Sequence, residues 1–195
     1  MDLNNAISAA GLGEDFCCAS DYGGGDGALI SEVRASRKIS FDPSGNGGRN
    51  GIEVIGERAA LPQDVDLVTC AQVLEHVSDP AALVDDMILL LRPGGLLYLE
   101  VPDQIWRRFT DLSLSRAATE WLCAHPRLML AADIYSTAFR VKMGFLPPFG
   151  FVPMREHINF FSATALRSIA SRVSLRLKGE GRTIDRSFYL IAERL

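Results

Sequence analysis

Residues 65–101 read VDLVTCAQVLEHVSDPAALVDDMILLLRPGGLLYLEV. The segment opens on VDLVTCAQV, a short continuous apolar run of the kind that a parallel strand buried on both faces requires. It closes on a second such run, LLYLEV, ended by Pro102. The helix between them carries its own punctuation: Asp79 before Pro80 suits an N-cap with proline at the first helical position, and RPGG is a stop. Leu83, Val84, Met87, Ile88 and Leu91 share one face of that helix. Strand, helix and strand joined by short links predict a right-handed crossover between parallel strands.

The alternation extends to both sides. DFCCASDY (15–22) predicts a first strand, and a glycine loop then leads into ALISEVRA (28–35), where Leu29, Ile30 and Val33 align on one helical face. RKISFD (37–42) and IEVIGE (52–57) are the second and third strands, separated by PSGNGGRNG (43–51), a loop on turn chemistry alone. Near the C-terminus Ser162 caps ATALRSIASRV, and SLRLKG and SFYLIAER predict an antiparallel pair at one sheet edge. The expected class is α/β, a doubly wound and mostly parallel sheet. Between about 104 and 155 the alternation stops and a helical insert is expected; ten of the sixteen aromatic residues fall between 104 and 161, which marks that insert as rich in large apolar side chains. Trp106, Phe109, Phe145, Phe149 and Phe151 are candidates for the wall of an apolar pocket, and the insert reads equally as a small helical subdomain or a dimer surface.

At 195 residues the chain is long enough for one domain with a substantial core, so the expectation is a single domain over 1–195, as monomer or homodimer. Its 48% hydrophobic and 23% charged residues place it among globular folds. A net charge of −4 gives no general attraction to nucleic acid. The apolar runs are too short for a membrane span, and no charged-then-apolar leader opens the chain. The four cysteines contain no C-x-x-C pair and no histidine at zinc spacing, so no metal is expected. Cys17, Cys18 and Cys70 lie in strand-like runs as small buried hydrophobes, and a reducing, cytoplasmic setting follows.

In an open parallel sheet, ligands bind beyond the carboxyl ends of the strands. The glycine loop DYGGGDG (21–27) sits at such an end, and Gly23, Gly25 and Ala28 satisfy the dinucleotide spacing, with Asp42 near the distance of a ribose-binding acid. A nicotinamide cofactor therefore fits by spacing. The loop's charge speaks against it, because Asp21 and Asp26 bracket the glycines with no Lys or Arg among them, and carboxylates repel a pyrophosphate. An amino-acid moiety joined to a nucleoside is the better match. A helix N-terminus holds its carboxylate, Asp21 or a carbonyl attracts its ammonium, Asp42 accepts from both ribose hydroxyls, and Glu57 accepts from an adenine amine.

Together, DYGGGDG, ISFDPS, the 65–103 segment with its LEHV and LRPGG signatures, and EHINFFSATALRSIASRV resemble the class I S-adenosylmethionine-dependent methyltransferases of the small-molecule branch. The resemblance implies a Rossmann-like seven-stranded sheet with an antiparallel last strand. It implies S-adenosylmethionine as cofactor, with Asp21, Gly23 and Gly25 at the methionine end, Asp42 on the ribose diol, Glu57 and the Arg58 backbone at adenine, and Gln72 beside the methionine. Three features depart from the family pattern: a short helical segment before the first strand, the 43–51 loop in place of a regular helix, and Glu57 where Asp is more usual.

The implied reaction transfers a methyl group to a small-molecule acceptor at oxygen, nitrogen or carbon. An acceptor proton must leave, and histidine is the side chain best poised for that near neutral pH. Of the three histidines, His157 in REHINFF is the candidate base, with Glu156 as its orienter or alternative. Related sugar carbon-methyltransferases carry a similar EH element near the acceptor. His76 reads as support for the cofactor loop and His125 as a surface residue of the insert. The competing functions are an NAD(P)-dependent oxidoreductase on a Rossmann fold and a non-catalytic methyltransferase-like binding protein.

Overall fold

The computed structural model describes residues 3–13, 15–45, 47–103, 107–108, 115–151, 157–171, 174–184 and 187–195. Its strands are β1 (Phe16–Tyr22), β2 (Ala35–Phe41), β3 (Glu53–Ile55), β4 (Val65–Ala71), β5 (Leu91–Pro102), β6 (Arg107–Arg108), β7 (Phe145–Leu146), β8 (Leu175–Arg182) and β9 (Ser187–Arg194). The helices are α1 (Leu3–Ala9), α2 (Ala28–Ser31), α3 (Pro80–Leu90), α4 (Arg116–Cys123), α5 (Pro126–Met143) and α6 (Ala163–Ala170). Seven strands form one sheet in the order β3-β2-β1-β4-β5-β9-β8. Neighbours from β3 to β5 are parallel, and β9 runs antiparallel to both β5 and β8. This is the Rossmann-like sheet with one antiparallel strand, the last. The order reverses between β1 and β4, which sets the ligand crevice at their carboxyl ends.

Residues Val65 to Cys70 of β4 are all buried, as a central strand covered on both faces requires. One apolar layer packs Val84, Met87 and Ile88 of α3 and Leu166 and Ala170 of α6 over Val68, Cys70, Leu97 and Leu99. The other packs Leu3, Ala6 and Ile7 of α1 with Ile30 and Val33 over Ala19, Leu67 and Tyr98. The short leading helix thus completes the second layer.

Asp79 accepts from the N–H groups of Ala81 and Ala82 at 3.1 and 3.0 Å, with Pro80 in the first helical turn. Asp79→Ala is expected to cost about 1 kcal/mol, read as a fall of roughly 2 to 4 °C in the thermal midpoint. The RPGG stop is a bulge at the head of β5, where register jumps from Val65↔Leu91 to Leu67↔Leu96. A Cβ on Gly95 would lie 2.9 Å from the carbonyl oxygens of Arg92 and Val65, so only glycine fits there. The Arg92 Nε donates to Asp66 at 2.5 Å and ties the bulge to β4.

Three expectations are corrected. Leu91, expected on the buried face of the helix, instead begins β5, because α3 ends at Leu90. The helix predicted over ALISEVRA contracts to the four residues of α2, because β2 begins already at Ala35; Val33 is buried without being helical. Cys17 is exposed and Cys18 half-buried, since full burial of β1 begins only at Ala19; Cys70 is buried as expected.

The chain divides into two compact units, Met1–Asp103 with Ile158–Leu195, and Gln104–His157. The second is built on α4 and α5. Ser115 caps α4, and Gly144 in the left-handed region ends α5. His125 is exposed and joins the two helices, its Nδ1 at 2.8 Å from the Trp121 carbonyl and its ring 4.5 Å from the indole. Phe139 packs between Tyr135 and Phe145, and Ser136, fully buried, accepts from the Phe151 N–H. Phe145 and Phe151 are half-buried and Phe149 is exposed, while Trp106 and Phe109 lie outside the described residues. Among the described residues, no helix is long and apolar enough to cross a membrane.

Candidate cofactor-binding site

Gly23 and Gly24 turn the chain at the end of β1, and their N–H groups donate to the Phe41 carbonyl at 2.8 and 3.3 Å. Side chains are excluded at both positions. A Cβ on Gly23 would meet Val73 Cγ2 at 2.6 Å, and one on Gly24 would meet Asp21 Oδ2 at 2.3 Å. The loop therefore touches the end of β4 on one side and lies directly over the Asp21 carboxylate. At Gly25 the nearest group to such a Cβ is Asp42 Oδ2, 3.9 Å away, so the third glycine leaves open space.

Asp42 closes the crevice from the end of β2. Its Oδ2 accepts from the Gly25 N–H at 3.0 Å and its Oδ1 from the Ser44 N–H at 2.8 Å, while its own N–H donates to Ile55. The Ser44 hydroxyl and N–H, with the Gly25 N–H, hold its carboxyl below the ordinary value, so it is ionised at neutral pH. The loop thus takes three of the roughly four acceptor sites of the carboxylate, one of them through the Ser44 hydroxyl, which can turn away to leave that site to a ligand.

Asp21 has the opposite environment. It is 2% exposed, and burial pushes its carboxyl up to about 6, opposed by the Thr69 hydroxyl, which donates to Oδ1 at 2.7 Å. Thr69 is a partner of Asp21 that no sequence motif marks. Its signal was a hydroxyl inside the apolar run VDLVTCA, since a buried polar group needs a partner. Asp26, in contrast, is exposed and pairs with Arg49 at 3.0 Å. The 43–51 loop thus supplies the cation that the glycine loop lacks in sequence, and the objection to a phosphate ligand rests on Asp21 rather than on Asp26.

Glu57 is exposed at the end of β3, where its extended backbone opens the 3₁₀ turn Arg58–Ala60. The Arg58 side chain turns away to Asp86 of α3, donating from Nε at 2.5 Å and from Nη2 at 2.7 Å. Gln72 follows β4 with φ +58°, a strained value for a residue with a side chain. Its amide donates to Ser187 Oγ at 3.0 Å and Glu100 Oε1 at 3.3 Å, on the β5 and β9 side of the crest. The geometry thus gathers Asp21, the three glycines and Asp42, and directs the side chains of Arg58 and Gln72 elsewhere.

The LEHV segment forms a 3₁₀ turn, Leu74–His76, with His76 exposed at its end. Asn159 fastens this turn by donating from Nδ2 to the carbonyls of Leu74 and Val77 at 3.2 and 2.6 Å. The N–H groups of Ile158 and Asn159 donate to the Glu75 carbonyl at 2.8 and 3.0 Å. His157, half-buried, directly precedes this anchored pair, and Glu156 lies outside the described residues.

Residues 20–177 match a family model described as a methyltransferase domain. The chain belongs to the methyltransferase-domain family. Its fold is that of the S-adenosylmethionine-dependent methyltransferases. A possible histamine N-methyltransferase from Thermotoga maritima superposes with a TM-score of 0.58 at 15% identity, over 99% of this chain and 89% of that one. Magnesium protoporphyrin IX methyltransferase from Synechocystis PCC 6803, solved with bound S-adenosylhomocysteine, gives a TM-score of 0.53 at 16% identity, over 97% and 78% of the two chains. In sequence, the chain is similar to the ubiquinone biosynthesis O-methyltransferase of Xylella fastidiosa strain M23, 49% identical over 41 residues. That match spans 21% of this chain and only 17% of the curated relative. S-adenosylmethionine is the cofactor that this family and fold call for.

Proposed function

We propose that the protein transfers a methyl group from S-adenosylmethionine to a small-molecule acceptor. The observation that carries this reading is the Asp42 carboxylate, ionised, standing at the carboxyl end of β2 next to the glycine loop, and bonded to the Gly25 N–H with acceptor capacity left over. That donor and acceptor set fits a ribose diol beside an amino-acid moiety. When bound, the cofactor supplies an electrophilic methyl group on a sulfonium.

The chain's own residues bind and orient. Asp42 accepts from the ribose hydroxyls, and the backbone of Gly23 and Gly25 receives the methionine end. Asp21 acts on the ammonium through the loop that covers it. Glu57 and the Arg58 backbone meet adenine, and the turn at Gln72 borders the methionine. His157, with Glu156 as its orienter or alternative, takes the acceptor proton from oxygen, nitrogen or carbon.

Calorimetric titration with S-adenosylmethionine, S-adenosylhomocysteine and NADH tests the reading. Binding of both adenosyl ligands and not NADH is expected; NADH alone would make the protein an oxidoreductase, and no binding would make it a non-catalytic relative. His157→Ala is expected to lower turnover by about tenfold or more while donor affinity holds. Full activity in that variant would move the base to Glu156 or remove it from the mechanism.

A further inference from the structure

Tyr22 and Arg58 are 36 positions apart by number, each adjacent to a cofactor loop: Tyr22 precedes Gly23, and Arg58 follows Glu57. Both side chains end on one carboxylate. The Tyr22 hydroxyl donates to Asp86 Oδ2 at 2.6 Å, and Arg58 grips the same group through Nε at 2.5 Å and Nη2 at 2.7 Å, with a further contact from Nη2 to the Asp86 carbonyl at 3.2 Å. Asp86 stands on α3, whose apolar face is fixed in the core by Val84, Met87 and Ile88. The Tyr22 ring is buried, edge-on to Phe41 at 4.7 Å. Asp86 and Tyr22 are thus rooted in rigid elements.

The turn it holds is itself exposed and is anchored in the core only after its end, by Leu61. None of the residues of the 3₁₀ turn Arg58–Ala60 is buried, Glu57 caps it with no side-chain bond, and its internal bonds are Ala60 N–H to Glu57 and Leu61 N–H to Arg58. A bidentate guanidinium–carboxylate pair fixes orientation as well as distance, which a lone contact does not. The pair is about one-third exposed, so its net contribution to global stability is small and its geometric effect dominates.

We propose that Asp86 is a positioning residue for recognition of the adenine end of the cofactor: through Arg58 it sets the Glu57–Ala60 turn, and through Tyr22 it locks that turn to the glycine loop. The proposal rests on the reading of the crevice as the S-adenosylmethionine site. Arg58 serves it by its side chain, whereas the adenine is met by the backbone on which that side chain is anchored. The assignment explains an otherwise unused ionised cluster beneath the crest. The Arg58 pair holds the Asp86 carboxyl below its ordinary value, and burial together with the Asp86 charge raises the Tyr22 phenol, so both keep these protonation states at neutral pH.

The test is Asp86→Asn, with Arg58→Lys as the second variant, which keeps the charge and loses the fork. Binding of S-adenosylhomocysteine and of its inosine counterpart, in which the adenine amine is replaced by oxygen, is measured by calorimetry. Both variants are expected to bind S-adenosylhomocysteine about tenfold more weakly and to lose most of the wild-type preference for adenine over inosine. In the ligand-free protein, hydrogen exchange at the Ala60 and Leu61 amides is expected to accelerate while the amides of β1 keep their protection. A general loss of fold would instead accelerate both sets and weaken both ligands alike. Wild-type affinity, preference and exchange in either folded variant overturns the proposal. Failure of the wild-type chain to bind S-adenosylhomocysteine overturns the reading of the site itself.

Discussion

Asp42→Ala is expected to weaken S-adenosylhomocysteine binding by about a hundredfold, roughly 2.7 kcal/mol. Hydrogen bonds to a charged acceptor contribute about 1.5 to 3 kcal/mol each, and a diol makes two. Not all of that sum is lost, because water replaces part of it in a crevice that remains open. A second contribution acts through the loop: Asp42 accepts from Gly25 and Ser44, so the alanine variant also releases the backbone that receives the methionine end. Asp42→Asn separates the two. It retains one acceptor oxygen and one loop bond, and an intermediate loss of about tenfold is expected. Calorimetry on both variants reads the result, and an affinity unchanged in Asp42→Ala would remove this carboxylate from the site.

The elements that carried their own punctuation were legible in the sequence. Asp79–Pro80 opens α3, which ends at Leu90 just ahead of RPGG in the head of β5, Ser162 caps α6, and the apolar run of β4 with the later parts of β1 and β5 became buried parallel strands. ALISEVRA misled because its apolar spacing satisfied a helical face, while Val33 reaches the same core from a non-helical turn that shortens the crossover to β2. Strand patterning placed Cys17 in an apolar run without revealing how far the covering elements extend along β1.

The site was half legible for a related reason. Asp21 lies in the last two residues of β1, Gly23, Gly25 and Asp42 follow strand ends, and topology alone assigns them to one crevice. Contacts between distant segments left no local pattern. Nothing in the numbering joins Thr69 to Asp21, Arg49 to Asp26, or Tyr22 and Arg58 to Asp86. The parallel register supplies the first of these, since Asp21 and Thr69 are cross-strand partners. The second changed an electrostatic argument, because the charge of the glycine loop is set by Arg49 from outside it.

Asp21→Asn is expected to stabilise the ligand-free protein at pH 7 while impairing donor binding. The carboxyl titrates at about 6 in the fold, against an ordinary value of 3.8. Between those values the folded chain holds a proton that the unfolded chain has released. The unfolded state therefore binds fewer protons, and stability contributed by this group falls as pH rises from about 4 to 6 and stays low above it. At about 1.36 kcal/mol per unit, the full cost at pH 7 is on the order of 3 kcal/mol. Below pH 4 both states are protonated and the cost vanishes. Other carboxylates, including Asp42 and Asp86, are held below their ordinary values and contribute stability that is lost in acid. The wild-type profile alone is therefore uninformative, and the difference between variant and wild type is the quantity to measure. That difference should be near zero at pH 4 and grow to about 3 kcal/mol at pH 7, or roughly 6 to 12 °C in thermal midpoint. An ammonium group bound above the loop favours the charged carboxylate, so wild-type affinity for S-adenosylmethionine should rise with pH through 6, and the variant should lose that rise. Parallel stability curves for the two proteins would mean that Asp21 is not strained by burial. A retained pH-dependence of binding in the variant would place the partner of the cofactor's ammonium on another group.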